Sequence, residues 1–409
     1  MANQRGLAML LGPKPARAAV TTMLLSLAIA VFAIDPDKLL DPSMRGPERI
    51  VVVGLPLSIL GAIAAFPLPS RTNLRRQPDF LGAFVAWMLV GALLGPNPAL
   101  AFAYAGSFGC IALSGRRIGR YDPTLLMGSL AASLPAYLGL AVVARLSGVA
   151  QSWFFLDRLT FLSLEANQFA RFAGIAALAG LYLAAERHAV QIRAVGAAVA
   201  LLALVAIPIT ASRTAVTALL AALGVLLVRR SSKGLVVGLA AGITTVVAFV
   251  ALTPVGLLLE RGLSRGGASG GATTLTGRTD IWPVVLDQAL TRPIAGHGVG
   301  TDRSIVSGLS YRVGFEIQHA HTLGLHVLLT TGVVGLVLFA ALLWSLIGAP
   351  GGRLRSPASP WALAIVAFVL VDGVSEPVLQ NPSGAWLALV AAAVLAEQQT
   401  APKPATAQD

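Results

Sequence analysis

Residues 194–228 read AVGAAVALLALVAIPITASRTAVTALLAALGVLLV, an apolar run broken by a single charge, Arg213. At about 1.5 Å per residue, one helix over this run would be roughly 50 Å long, against a bilayer hydrocarbon core of about 30 Å. A segment too long to cross once and apolar at both ends is predicted to cross twice, folding back near Ser212 and Arg213. That reading makes the chain an all-α polytopic membrane protein, because backbone in lipid has to satisfy its own hydrogen bonds.

The rest of the sequence agrees. Of 409 residues, 56% are hydrophobic and 12% charged, less than half the charged share of about 25% in ordinary soluble domains. The mean hydropathy is +0.77. Spans are predicted near 18–34, 49–66, 79–95, 98–114, 124–147, 168–185, 194–211, 213–228, 234–257, 321–348, 359–377 and 383–396, about twelve transmembrane helices within a single integral membrane domain, 1–409. Basic residues cluster on alternate loops: Arg5, Lys14 and Arg17; Arg71, Arg75 and Arg76; Arg116, Arg117 and Arg120; Arg187 and Arg193; Arg229, Arg230 and Lys233; Arg353 and Arg355; and Lys403. The opposite loops carry most of the acids, Asp372 and Glu376 among them. By the positive-inside rule both termini are expected to be cytoplasmic. The net charge of +12 is thus read as a topology signal rather than a nucleic-acid surface. The single cysteine, Cys110, sits inside an apolar segment, which excludes an intramolecular disulfide and a thiolate metal cage.

One loop, 258–320, is far longer than the others and is expected on the external, periplasmic side. It opens with a Gly/Ser/Thr-rich stretch from Gly262 to Gly277. Within it Ile281, Trp282, Val285, Leu286, Ala289 and Leu290 recur at helical spacing, which predicts an amphipathic segment on the membrane surface or over the bundle. The tail, 398–409, is expected to be disordered.

The residues with chemistry to offer gather at the expected outer boundary. Arg213 is either an interfacial arginine snorkelling to headgroups or a clamp for a diphosphate, to which a guanidinium presents paired donors. Arg278 stands before Thr279, a candidate helix cap that would put it near backbone amides favouring anions. His319 and His321 close the long loop and are placed for general-base or hydrogen-bonding work, or form a polar cap without chemistry. A metal site built from His297, His319, His321 and His326 is set aside, since the spacing matches no standard zinc pattern. Gly296-His297-Gly298-Val299-Gly300 has no strand, helix and distant acid around it and is read as turns rather than a dinucleotide loop. Asn167 is read as a helix cap and Arg158 as an ordinary loop residue, while Arg171, one turn inside a span, requires a partner or a polar cavity. Trp282, Tyr311 and Phe315 are candidates to cradle sugar rings.

In order along the chain, four features carry a resemblance: Asn167 at the start of a mid-chain span; Ser212-Arg213 at a turn; Gly277-Arg278 with Trp282, followed by Arg292-Pro293-Ile294-Ala295-Gly296-His297-Gly298; and His321, Thr322, nine residues, Gly332, two residues, Gly335. The pattern, over roughly residues 160–348, resembles the O-antigen ligase family, which also holds O-antigen polymerases and related bacterial surface-glycan transferases. Thr322 departs from the Asn, Ser or Gln usual at that place but keeps a hydroxyl.

The resemblance implies a GT-C-like bundle in the bacterial cytoplasmic (inner) membrane with an outward-facing site. It implies transfer of a glycan from an undecaprenyl-diphosphate carrier to the hydroxyl of an acceptor lipid or glycan, inverting, with no cofactor, no metal and no nucleic-acid partner. His321, Arg213 and Arg278 are then the catalytic residues, the two arginines binding the diphosphate. Asn167, Arg171, Trp282 and His319 are expected to contact glycan or acceptor. A polymerase of lipid-linked repeats fits the same residues. A transporter or flippase is the alternative from another class, disfavoured because the polar residues gather at one boundary instead of the midplane.

Overall fold

The computed structural model describes residues 14–33, 48–65, 68, 79–147, 154–155, 158–159, 166–186, 188–230, 278–315, 317–347 and 359–398. Its apolar helices are α1 (Lys14–Phe32), α2 (Glu48–Ala65), α3 (Phe80–Leu94), α4 (Pro98–Tyr121), α5 (Pro123–Leu146), α6 (Ala166–Ala185), α7 (Val190–Ile209), α8 (Arg213–Arg230), α12 (Leu323–Ile347), α13 (Ser359–Gly373) and α14 (Gly384–Gln398). Between α8 and α12 lie α9 (Arg278–Leu290), α10 (Asp302–Ser307) and α11 (Ser310–Val313). The chain is a helical membrane protein. Five helices, α4, α5, α6, α7 and α12, are both long and apolar enough to cross a membrane, against about twelve expected. Within α1, α2, α3, α13 and α14 the described residues form apolar helical stretches of 10–17 residues, and a helix of 15 residues such as α3 reaches about 22 Å. The span expected at 234–257 and the tail from 399 onward lie outside the described residues, while Gln398 itself closes α14.

Local chemistry sets the helix ends. Asp79 Oδ1 accepts from Gly82 N at 2.7 Å to start α3, and Asn97 Oδ1 accepts from Leu100 N at 3.3 Å to start α4, with Pro98 in the first turn. Asp122 alone separates α4 from α5 and caps the latter by accepting from Thr124 N at 2.8 Å. These caps satisfy amides that a helix start leaves open. Where a loop with Arg158 was expected, two short strands, β1 (Phe154–Phe155) and β2 (Arg158–Leu159), pair antiparallel.

α14 forms the centre of the bundle, with every residue from Gly384 to Leu395 buried, as expected of a helix apolar on all sides. α4 reaches it through small residues: a Cβ on Gly115 would meet Leu387 Cδ1 at 2.7 Å, and one on Gly119 would meet Val394 Cγ1 at 2.8 Å. Trp386 donates its indole N–H to the Phe108 carbonyl at 2.8 Å. α6 and α7 touch backbone to backbone at Gly180 and Gly196, where a Cβ on either would lie 2.6–2.7 Å from the other's carbonyl oxygen. Small residues at such crossings let helices approach in lipid, where no hydrophobic force drives them together.

The two ends of the bundle differ. At one, Arg116 joins Asp79 at 2.6 Å and Glu397 at 2.9 Å, and Arg120 joins Glu397 at 3.0 Å. Opposite, the α7–α8 turn, the segment 291–301, the stretch 317–322 and the α13–α14 connection come together.

Candidate functional site

The long apolar run does fold back where the sequence demanded. α7 ends at Ile209 and α8 begins at Arg213. Between them Ala211 takes φ 52°, and Ser212 accepts from Ala215 N at 3.4 Å. Arg213 is exposed at the head of α8. One residue on, Thr214 Oγ1 lies 3.0 Å from Ser375 Oγ, fixing the head of α8 to the turn after α13.

That turn holds the site's acids. Asp372 and Glu376 are fully buried. Arg171, 5% exposed, donates from Nε to Asp372 Oδ2, and its Nη2 lies 3.5 Å from Glu376 Oε2. The partner that Arg171 required is therefore a pair of carboxylates. Asn167 donates from Nδ2 to Glu376 Oε1 at 2.8 Å. The reading of Asn167 as a cap is corrected: α6 begins at Ala166, so Asn167 lies within the first turn and spends its amide on Glu376.

Against Glu376 stand His319 and His321. His321 adopts φ 52°, which turns the chain so that the two rings lie 4.3 Å apart, centroid to centroid. One ligating atom from each of His319, His321 and Glu376 lies within 4.8 Å of the other two. Among the described residues Ala211 and His321 are the non-glycine positions with positive φ, a conformation that costs side chains of this kind about 1–3 kcal/mol and clusters at functional sites. Thr322 donates its hydroxyl to the Gly373 carbonyl at 3.3 Å. The group that departs from the family pattern thus ties the histidine turn to the acidic turn.

The glycines of the motif have a structural task. Gly332 breaks α12 at φ 67°, ψ −172°. The carbonyls of Leu329 and Thr330 accept from His297 N and Gly298 N, each at 2.9 Å, and that of Thr331 accepts from Trp87 Nε1 at 2.8 Å. Beyond the break, Val333 N donates to the Pro293 carbonyl at 2.7 Å. Gly296, Gly298 and Gly300 all have positive φ, which the reading of this segment as turns requires. The break and the 293–298 segment satisfy each other's backbone inside an apolar bundle, where an unmet group is expensive.

His297 and His326 have other partners. Nε2 of His297 lies 3.1 Å from the Gln288 carbonyl and 3.3 Å from Thr291 Oγ1, and His326 Nδ1 lies 3.5 Å from Asp302 Oδ2. The amphipathic helix is present as α9, beginning at Arg278, so Thr279 lies inside it rather than at its cap. Ile281, Val285 and Ala289 bury against Val306, Leu309, Ile317, Ala320 and Leu329, whereas Leu286 and Leu290 are 39% and 56% exposed. The side chains of Arg278 and Thr279 lie outside the described residues. Trp282 is half-buried, and its Nε1 is buried with no hydrogen-bond partner among the described residues. Tyr311 and Phe315 are exposed. Arg312 meets Asp287 at 2.8 Å.

Asp372 and Glu376 were visible only as acids on an outer loop. The signal that singles them out is their i, i+4 spacing where an apolar span ends, since carboxylates at a membrane boundary need a cation or water.

No curated protein matches the chain. Residues 198–340, about a third of the chain, match the family described as O-antigen ligase. They include Arg213, Arg278, His321, Gly332 and Gly335 and leave out Asn167, Arg171, Asp372 and Glu376. Over that stretch the chain is similar to the O-antigen ligase family.

Proposed function

We propose that the protein transfers a glycan from an undecaprenyl-diphosphate carrier to an acceptor hydroxyl at the external face of the cytoplasmic membrane, with both termini cytoplasmic and the membrane crossed about twelve times in a GT-C-like bundle. One observation carries the reading: the family match includes Arg213 and His321, and both belong to segments bonded to the same turn, through Thr214–Ser375 and Thr322–Gly373.

In this reading Arg213 and Arg278 bind the diphosphate. As the bond from the anomeric carbon to the diphosphate oxygen breaks, the leaving group takes the electron pair, and the cationic groups stabilise the charge that develops. The acceptor oxygen forms the new bond on the opposite face, with inversion, and its proton passes to a ring nitrogen of His321, which serves as general base. Glu376 and His319 position His321. Arg171, held by Asp372, serves to orient Glu376 rather than to touch the diphosphate, and Asn167 does the same. Trp282 supports a sugar ring. No metal or cofactor enters a step.

The test is transfer of a labelled glycan from its carrier by protein reconstituted in liposomes. Wild type is expected to be active, and Arg213→Ala and His321→Ala to lose activity while staying inserted. Discrete single additions to an acceptor lipid indicate ligation; a ladder of lengths indicates the polymerase reading. Release of no glycan, with movement of the intact carrier between leaflets unaffected by either substitution, would replace transfer by transport. Trp282→Ala is expected to weaken glycan binding, and unchanged affinity removes its sugar contact.

A further inference from the structure

We infer that His319, His321 and Glu376 form a binding site for one divalent transition-metal ion of the zinc class. Three observations meet here. The ligating atoms of these residues lie within 4.8 Å of one another. With metal–ligand bonds of about 2.0–2.1 Å the edges of a tetrahedral site are roughly 3.4 Å, a gap that small side-chain rotations close. His319 and Glu376 are 2% and 1% exposed, so the donors stand in a low-dielectric setting that strengthens their hold on a cation. The turns are also tied together: Thr322, next to His321, donates its hydroxyl to the Gly373 carbonyl at 3.3 Å and holds the histidine pair to the acidic turn.

The donor set fits the ion. Two imidazoles and one carboxylate, with a fourth position left to water, is a familiar ligand count for zinc, whereas calcium and magnesium prefer six or more oxygens. The backbone builds the site: φ 52° at His321 sets two histidines of i, i+2 spacing side by side, and the Asn167 amide at 2.8 Å orients the Glu376 carboxylate. The His–X–His spacing alone did not reveal this, because the third ligand comes from a turn more than fifty residues further along the chain.

The ion would be an inhibitor, a consequence that rests on the proposed function. A metal-bound nitrogen of His321 has no lone pair for the acceptor's proton, so loading the site is expected to suppress transfer, and a chelator to restore it.

The experiment is a Co2+ titration of full-length, tag-free protein in lipid nanodiscs after chelator treatment, read by the visible d–d absorption of a low-coordinate site and by displacement with Zn2+. Wild type is expected to bind one equivalent. His319→Gln and Glu376→Gln are expected to bind about tenfold or more weakly, with unchanged elution as folded protein. No stoichiometric Co2+ signal in wild type, or equal binding by both variants, overturns the site. The readout needs no glycan, so a protein that binds one ion through these residues yet transfers no glycan under any condition keeps the metal site and loses the transferase reading.

Discussion

Gly296 and Thr330 meet backbone to backbone: a Cβ on Gly296 would stand 2.5 Å from the Thr330 carbonyl carbon, and Gly296 itself has φ 69°. This contact seats the 293–298 segment on the broken turn of α12 and so fixes the base of the stretch that carries His319 and His321.

Gly296→Ala is therefore expected to destabilise the protein by about 2 kcal/mol or more, from strain at positive φ together with the clash. Gly128→Ala in α5, where a new Cβ meets nothing within 4 Å, is expected to leave stability level or raise it slightly. Thermal unfolding in detergent compares the two, and equal midpoints would remove the seating role.

Arg171→Met leaves Asp372 and Glu376 buried without their guanidinium. Breaking such a group from one side costs about 3–5 kcal/mol, so folded yield and melting temperature should fall sharply. Adding Asp372→Asn and Glu376→Gln to Arg171→Met removes the unpaired charges and is expected to recover most of the loss. A triple variant no more stable than the single one would show that packing, not charge, is what Arg171 supplies.

His297 gives a pH dependence of definite sign. Burial pushes its pKa below the ordinary 6.5, the Arg292 charge adds to the effect, and the hydrogen bond to the Gln288 carbonyl opposes it. The folded state thus favours the neutral ring. Its contribution is complete above about pH 6.5 and is lost as pH falls through that value towards the folded-state pKa. Melting curves from pH 8 to pH 5 should show wild type losing more stability than His297→Gln, and parallel losses would contradict the assignment.

At the far end of the bundle, Glu397 accepts from Arg116 and Arg120 and ties the end of α14 to α4. The side chains of Arg116 and Glu397 are only 17% and 16% exposed. A double-mutant cycle with Arg116→Ala and Glu397→Ala is expected to give a coupling between about 0.5 and 3 kcal/mol, shrinking little in high salt because the pair is partly buried. Additive effects would mark the contact as incidental.

Much of the helical framework was legible from apolar run lengths. The α7–α8 fold-back followed from one run too long for a single crossing, and α9 from spacing at Ile281, Val285 and Ala289. The requirement that Arg171 find a partner was legible too, but the partner was not: Asp372 and Glu376 lie about two hundred residues away. The motif glycines were legible as a pattern and not as a device. That Gly332 opens α12 so that His297 N and Gly298 N meet its freed carbonyls emerges only when both segments are seen together.

Sequence by itself determined that this chain is helical and belongs in a membrane, because each apolar segment has to satisfy its own backbone in lipid and so carries its conformation locally. The tertiary structure decided which charges meet. A buried guanidinium, two carboxylates and a pair of histidines come from three separate segments, and only the packing of α6, α12 and α13 brings them together.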